Sequence, residues 1–158
     1  MVSPAKVTQL SVSHCLSAVK SGAYISSGRV ALGIEPISMG YVIVEPGMKV
    51  GEVGKARVVK RDDHMTAVAN ALAAEFFGMS FVYLEAGSGA DRPVPPAMIT
   101  AVKKELSVPL IIGGGIRMPE DAAAARMAGA DAVVTGTFIE QCSDDSMLRA
   151  VVSAAKGL

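Results

Sequence analysis

Residues 109–137 read PLIIGGGIRMPEDAAAARMAGADAVVTGT, and the reading of this stretch decides the fold. An apolar run, Pro109 to Ile112, passes straight into three glycines. An alanine-rich helix follows Pro119 and closes at Gly129, and a second apolar run, Ala132 to Thr135, leads into Gly136 and Thr137. Strand, helix and strand in that order form a βα unit, because parallel neighbours need a crossover far longer than a hairpin turn.

The same alternation continues outward. Phe81 to Glu85 (FVYLE) reads as a strand, Ala86 to Val94 as a polar, glycine-bearing loop, and Pro95-Pro96 as the opening of a helix with Ile99, Val102 and Leu106 on one side. Further upstream, Ser38 to Glu45 (SMGYVIVE) is the continuous apolar run of a strand covered on both faces, ended by Pro46-Gly47. Met48 to Arg61 reads as an irregular or hairpin-like excursion. Asp62 or Asp63 then caps a helix running to Phe77, with Met65, Val68, Ala69, Leu72, Ala73 and Phe76 as its apolar stripe and Gly78 as its stop. At the other end, a helix from Asp145 to Lys156 carries Leu148, Val151, Val152 and Ala155 on one side. Residues 1–33 form a leader in which Ser, Gly and Lys interrupt any apolar period; a helix around Leu10 to Val19 is expected there.

With 51% hydrophobic and 19% charged residues, the chain can bury a core, and extended disorder is excluded for most of it. Fifteen Lys and Arg balance fifteen Asp and Glu, so no long-range field concentrates nucleic acid or an anionic membrane surface. Any anionic ligand has to be held by local geometry. No apolar run reaches the roughly 20 residues that span a bilayer. Cys15 and Cys142 lie far apart without CxxC spacing, which suits a reducing cytoplasm rather than a disulfide scaffold.

Ligands of parallel α/β proteins gather at the carboxyl ends of the strands. There, Gly113-Gly114-Gly115 offers bare backbone N–H groups with no Cβ to hold a ligand away, although the same glycines also suit a tight turn with no ligand. Gly136 adds another bare N–H and Thr137 a hydroxyl. Loops after the last two strands of a (β/α)8 barrel commonly bind phosphate, helped by a helix N-terminus. Tyr83 and Glu85 alternate with Val82 and Leu84 and so share one strand face. A carboxylate there, followed by Ala86-Gly87-Ser88-Gly89, is placed to accept a proton or hydrogen bond from a hydroxylated ligand. Burial of Glu85 against a neighbouring cation is the other reading. Arg117 could close on the anion, but an arginine two residues past a turn is more often a solvated or salt-bridged side chain. His14 and His64 lack a second ligand at metal spacing, neither cysteine has an evident base, and Gly87-Ser88-Gly89 is not a GxSxG nucleophile elbow.

YLEAGSG at 83–89, PVPPAMI at 93–99, IIGGGIR at 111–117 and AGADAVVTGT at 128–137 occur in one order, with SMGYVIVEPG, GKARVVKRDD and ALAAEFFGM upstream. Together they resemble the archaeal-type geranylgeranylglyceryl phosphate synthases over about residues 35–140. The resemblance implies an α/β fold, a partial (β/α)8 TIM-type barrel made of about the last four βα units and spanning residues 34–158. It implies a magnesium-dependent prenyltransferase of archaeal ether-lipid synthesis, joining geranylgeranyl diphosphate to the C3 hydroxyl of sn-glycerol 1-phosphate. By the same resemblance Tyr83, Leu84, Glu85, Ala86, Gly87, Ser88 and Gly89 line the glycerol phosphate site, and Gly114, Gly115, Gly136 and Thr137 hold its phosphate. Glu85, with Tyr83 beside it, takes the proton of the attacking hydroxyl.

In such a family Mg2+ is held by an Asp in a DP-type motif and a second ligand in a GGS/T-type motif, and this chain shows neither. Metal ligands are therefore not expected in this chain. A half-barrel that only binds glycerol phosphate, and another phosphate-binding barrel enzyme such as an isomerase or aldolase, stay open as alternatives. An open half-barrel would also leave two strand edges and a core face uncovered, so a homo-oligomer is expected.

Overall fold

The structure, a computed structural model, describes residues 37–158. The helix expected near Leu10 to Val19, with the rest of the 1–33 leader, lies outside the described residues. The four apolar runs form the strands β1 (Met39–Ile43), β2 (Phe81–Glu85), β3 (Leu110–Gly113) and β4 (Ala132–Val134). Every pairing is parallel and the sheet order is β1-β2-β3-β4. Among the described residues the order never turns back and shows no switch point of the doubly wound kind; this is the progression of a barrel wall.

Among the described residues six helices connect and follow the strands: α1 (Met48–Val53), α2 (His64–Phe76), α3 (Pro96–Glu105), α4 (Pro119–Met127), α5 (Thr137–Gln141) and α6 (Asp145–Lys156). α2 packs on β1 and β2, and a helical layer runs from α2 to α3, α4 and α6. Strand pleating sends alternate side chains into this layer. Val42, Val82, Leu84, Leu110 and Ile112 are buried there against Met98, Ile99, Val102, Ala122, Ala125 and Val151 of the helices. Full burial of each large aliphatic group is worth about 1.5–3 kcal/mol. The expected face of α3 is the buried one, since Ile99, Val102 and Leu106 all lie in the core.

Five expectations are corrected. The stripe read on α2 is turned by part of a turn: Ala67 and Ala71 are fully buried, whereas Met65 and Phe76 are exposed. The reason is close approach, because a Cβ on Gly40 of β1 would overlap the Ala74 side chain, and only a face of small residues lets helix and strand meet there. β1 is not covered on both faces, since Met39 and Tyr41 project from the side opposite the helices and remain substantially exposed. The excursion after β1 is not a hairpin: α1 forms, and the chain returns as a parallel bridge in which Val59 N–H donates to Ile43 O and Glu45 N–H donates to Val59 O. Burial of Val44 and Val59 accounts for that return. Finally, α5 follows β4 immediately, where no helix was expected, and Val152 of α6 faces solvent while Val151 is buried.

Candidate functional site

The strands end level with one another and carry their loops to one edge of the sheet. Val44 N–H donates to Glu85 O at 2.8 Å and Ala86 N–H to Gly113 O at 3.0 Å, which extends the ladder into the loops after β1 and β2. Arg61 ties two of these loops by donating to Glu45 O at 3.2 Å and Pro93 O at 2.6 Å. Thr135, after β4, donates to Ile116 O at 3.0 Å and so joins the other two.

A pocket of about 150 Å³ opens at that edge, lined from β2 by Tyr83, Glu85, Ser88 and Gly89, from the turn after β3 by Gly114 to Arg117, and from the β4 end by Val134 to Phe138. Tyr83, Glu85, Ser88, Gly89, Gly114, Gly115, Gly136 and Thr137, named from sequence, thus meet in one place. The Ser88 and Thr137 hydroxyls lie 2.9 Å apart, bridging the first loop and the last. Leu84 and Ala86 do not join them: both are fully buried, because strand alternation sends them away from Glu85. Gly87 contributes its N–H to Glu85 rather than a wall of the pocket.

Glu85 is only 7% exposed, yet its partners are neutral. Oε1 accepts from Gly87 N–H at 2.6 Å and Oε2 from the Tyr41 hydroxyl at 3.1 Å, and the Tyr83 phenol lies close enough to feel the charge of this carboxylate. The buried ion pair considered from sequence is therefore replaced by a carboxylate fixed through hydrogen bonds, which is how a buried charge is made tolerable without a cation. The Tyr41 and Tyr83 rings stack with centroids 5.0 Å apart. Burial, and after it the Glu85 charge, holds both phenols above the ordinary tyrosine range.

Sequence reasoning missed Tyr41. The signal was available, since Tyr41 and Tyr83 are register partners in adjacent parallel strands, but pairing is not written in either strand alone. The glycines after β3 are also more constrained than a bare-backbone reading implies. Gly114 and Gly115 both have left-handed φ, 80° and 72°. A Cβ on Gly114 would overlap the Glu85 carboxylate and come within 2.6 Å of Gly87 N, and one on Gly115 would run into the Arg92 carbonyl. Loop against loop, not only ligand against loop, demands glycine here.

Fold and pocket define a parallel α/β protein of barrel type with a cleft at its strand ends that carries a carboxylate, hydroxyls and bare glycine backbone. The PcrB family model matches residues 15–155, beginning inside the stretch read as a leader. The chain belongs to the PcrB family. It is 59% identical over 109 residues to a geranylgeranylglyceryl phosphate synthase of Thermococcus kodakarensis, an alignment covering 69% of this chain and 43% of that protein. It is 44% identical over 141 residues to the enzyme of the same name from Thermoplasma volcanium, covering 89% and 54% respectively. The crystal structure of (S)-3-O-geranylgeranylglyceryl phosphate synthase from Thermoplasma acidophilum, in complex with its substrate sn-glycerol-1-phosphate, superposes with a TM-score of 0.81 at 45% identity, over 89% of this chain and 56% of that one. The chain thus spans about half the length of the curated relatives it matches. Among the described residues no helix is long and apolar enough to cross a membrane.

Proposed function

We propose that the described unit carries the glycerol phosphate side of a prenyltransferase site that joins geranylgeranyl diphosphate to the C3 hydroxyl of sn-glycerol 1-phosphate. The observation that carries this reading is a single cleft lined both by the carboxylate Glu85 and by the Gly114-Gly115 and Gly136-Thr137 corners. Backbone N–H groups and the Thr137 hydroxyl at those corners donate to the phosphate, and the C3 hydroxyl donates to Glu85. As the allylic carbon–oxygen bond breaks, its electron pair leaves with diphosphate, the C3 oxygen forms the ether bond and its proton passes to Glu85. The hydrogen bond from Tyr41, whose ring stacks on Tyr83, keeps that carboxylate aimed.

Mg2+, implied by the resemblance, would assist the departure of diphosphate. The described residues do not fit it: no three His, Cys, Asp or Glu among them lie together. None of the steps given to Glu85, Tyr83 or the glycine corners uses the ion. The reading includes a cytoplasmic location, supported by two widely separated cysteines, and self-association through the uncovered sheet face.

The test is an assay of this chain with labelled geranylgeranyl diphosphate and each glycerol phosphate enantiomer, with and without Mg2+. Turnover of the 1-phosphate, lost in Glu85→Gln while binding survives, is expected. Saturable binding of the 1-phosphate without turnover reduces the chain to a binding half-barrel. Indifference to both enantiomers sinks the reading and favours an isomerase or aldolase on the same frame.

A further inference from the structure

The charge around the pocket is unbalanced for the ligand proposed to fill it. A phosphate monoester carries about two negative charges near neutral pH, and the one carboxylate among the lining residues, Glu85, has the same sign. Compensation does not come from the N-terminus of α4. The N–H groups of Arg117 and Met118, which open that helix, both donate to Asp121 Oδ2 at 3.1 Å, so a carboxylate already stands where an anion would sit. α5 is five residues long and adds little dipole.

Arg117 is the one cation among the lining residues. Its Nη2 donates to Gly89 O at 3.1 Å, which pins the guanidinium where the loop after β2 meets the loop after β3. Among the described residues no carboxylate lies within ion-pair distance of it. A guanidinium has five N–H donors in a planar fork suited to phosphate oxygens, and one bond to a carbonyl leaves most of them unspent. We infer that Arg117 is a ligand of the phosphate and supplies the positive charge that the glycine corners lack. The inference rests on the proposed function, because it assigns a partner to the anion placed there.

Calorimetric titration of sn-glycerol 1-phosphate into the full chain, repeated over a series of KCl concentrations, tests it. Arg117→Met keeps most of the aliphatic stem and removes the charge; Arg117→Lys keeps the charge and loses the fork. Wild type is expected to bind with an affinity that falls as salt screens the pair. Arg117→Met should bind about 10- to 100-fold more weakly with a flattened salt dependence, and Arg117→Lys should recover part of both. If Arg117 merely straps Gly89, the Met variant loses affinity but keeps the wild-type salt slope, and that result overturns the inference. Unchanged affinity overturns it as well. Absence of binding in wild type is a different failure, because it removes the proposed function and the inference with it.

Discussion

The Tyr41 hydroxyl donates to Glu85 Oε2 at 3.1 Å from the neighbouring strand, while its ring stacks on Tyr83. One residue of β1 thereby fixes both polar side chains that β2 sends into the pocket. Burial and the adjacent carboxylate hold the Tyr41 and Tyr83 phenols above the ordinary value near about 10. The sign follows directly: a raised folded pKa gives stability present below pH of about 10 and lost as pH rises beyond it. In an ultraviolet titration two of the three tyrosines should ionise late, together with unfolding, and Tyr41→Phe should remove one of them. Both phenols titrating normally in a chain with native circular dichroism would contradict the geometry.

Gly114→Ala places a methyl group against the Glu85 carboxylate and the Gly87 backbone at a φ of 80°. A loss of roughly 2–4 kcal/mol in urea unfolding is expected, from backbone strain and overpacking together. Gly136→Ala is the control: its φ is −108° and an added Cβ meets nothing within 4 Å, so its stability should stay within about 0.5 kcal/mol of wild type.

Asp131 anchors the start of β3 by accepting from Leu110 N–H at 2.7 Å and from Lys103 Nζ at 2.6 Å. Desolvation works against its charged form, but the Lys103 and Leu110 hydrogen bonds outweigh it and hold the carboxyl below its usual range. Its contribution is therefore full above pH of about 4 and lost as pH falls through the lower folded value. Asp131→Asn should narrow the difference in urea midpoint between neutral and acidic pH. Equal midpoint shifts for variant and wild type would remove Asp131 from this role.

The face of the sheet opposite the helices carries Met39, Tyr41 and Val134, each 38–44% exposed. Uncovered apolar strand surface favours association. Light scattering at low micromolar concentration should give a mass above the 16.2 kDa of one chain, and Met39→Lys should lower it without changing circular dichroism. A well-folded monomer at every concentration would discard the idea.

Much of this protein could be read before any coordinates. The strands are continuous apolar runs bounded by Gly and Pro, and the capping Asp63, which accepts from Thr66 N–H at 3.0 Å, is the kind of residue helices begin with. The loops named from YLEAGSG, GGG and TGT do converge on one pocket. The exposed face of α2 was misread because Met65 and Phe76 are as apolar as core residues, and only the approach of Gly40 to Ala74 decides which side of the helix can enter. Arg117 was set aside because two residues past a turn says nothing about direction.

What the sequence determined by itself was the order of elements, the parallel sheet and the set of loops at its carboxyl edge, because periodicity and punctuation act over a few residues. Tertiary structure alone decided that Tyr41 holds Glu85, that Ser88 meets Thr137, and that Arg117 borders the pocket with no carboxylate among the described residues opposing it. Those relations join residues 28 to 49 positions apart. They depend on strand register and loop packing, which no single segment encodes.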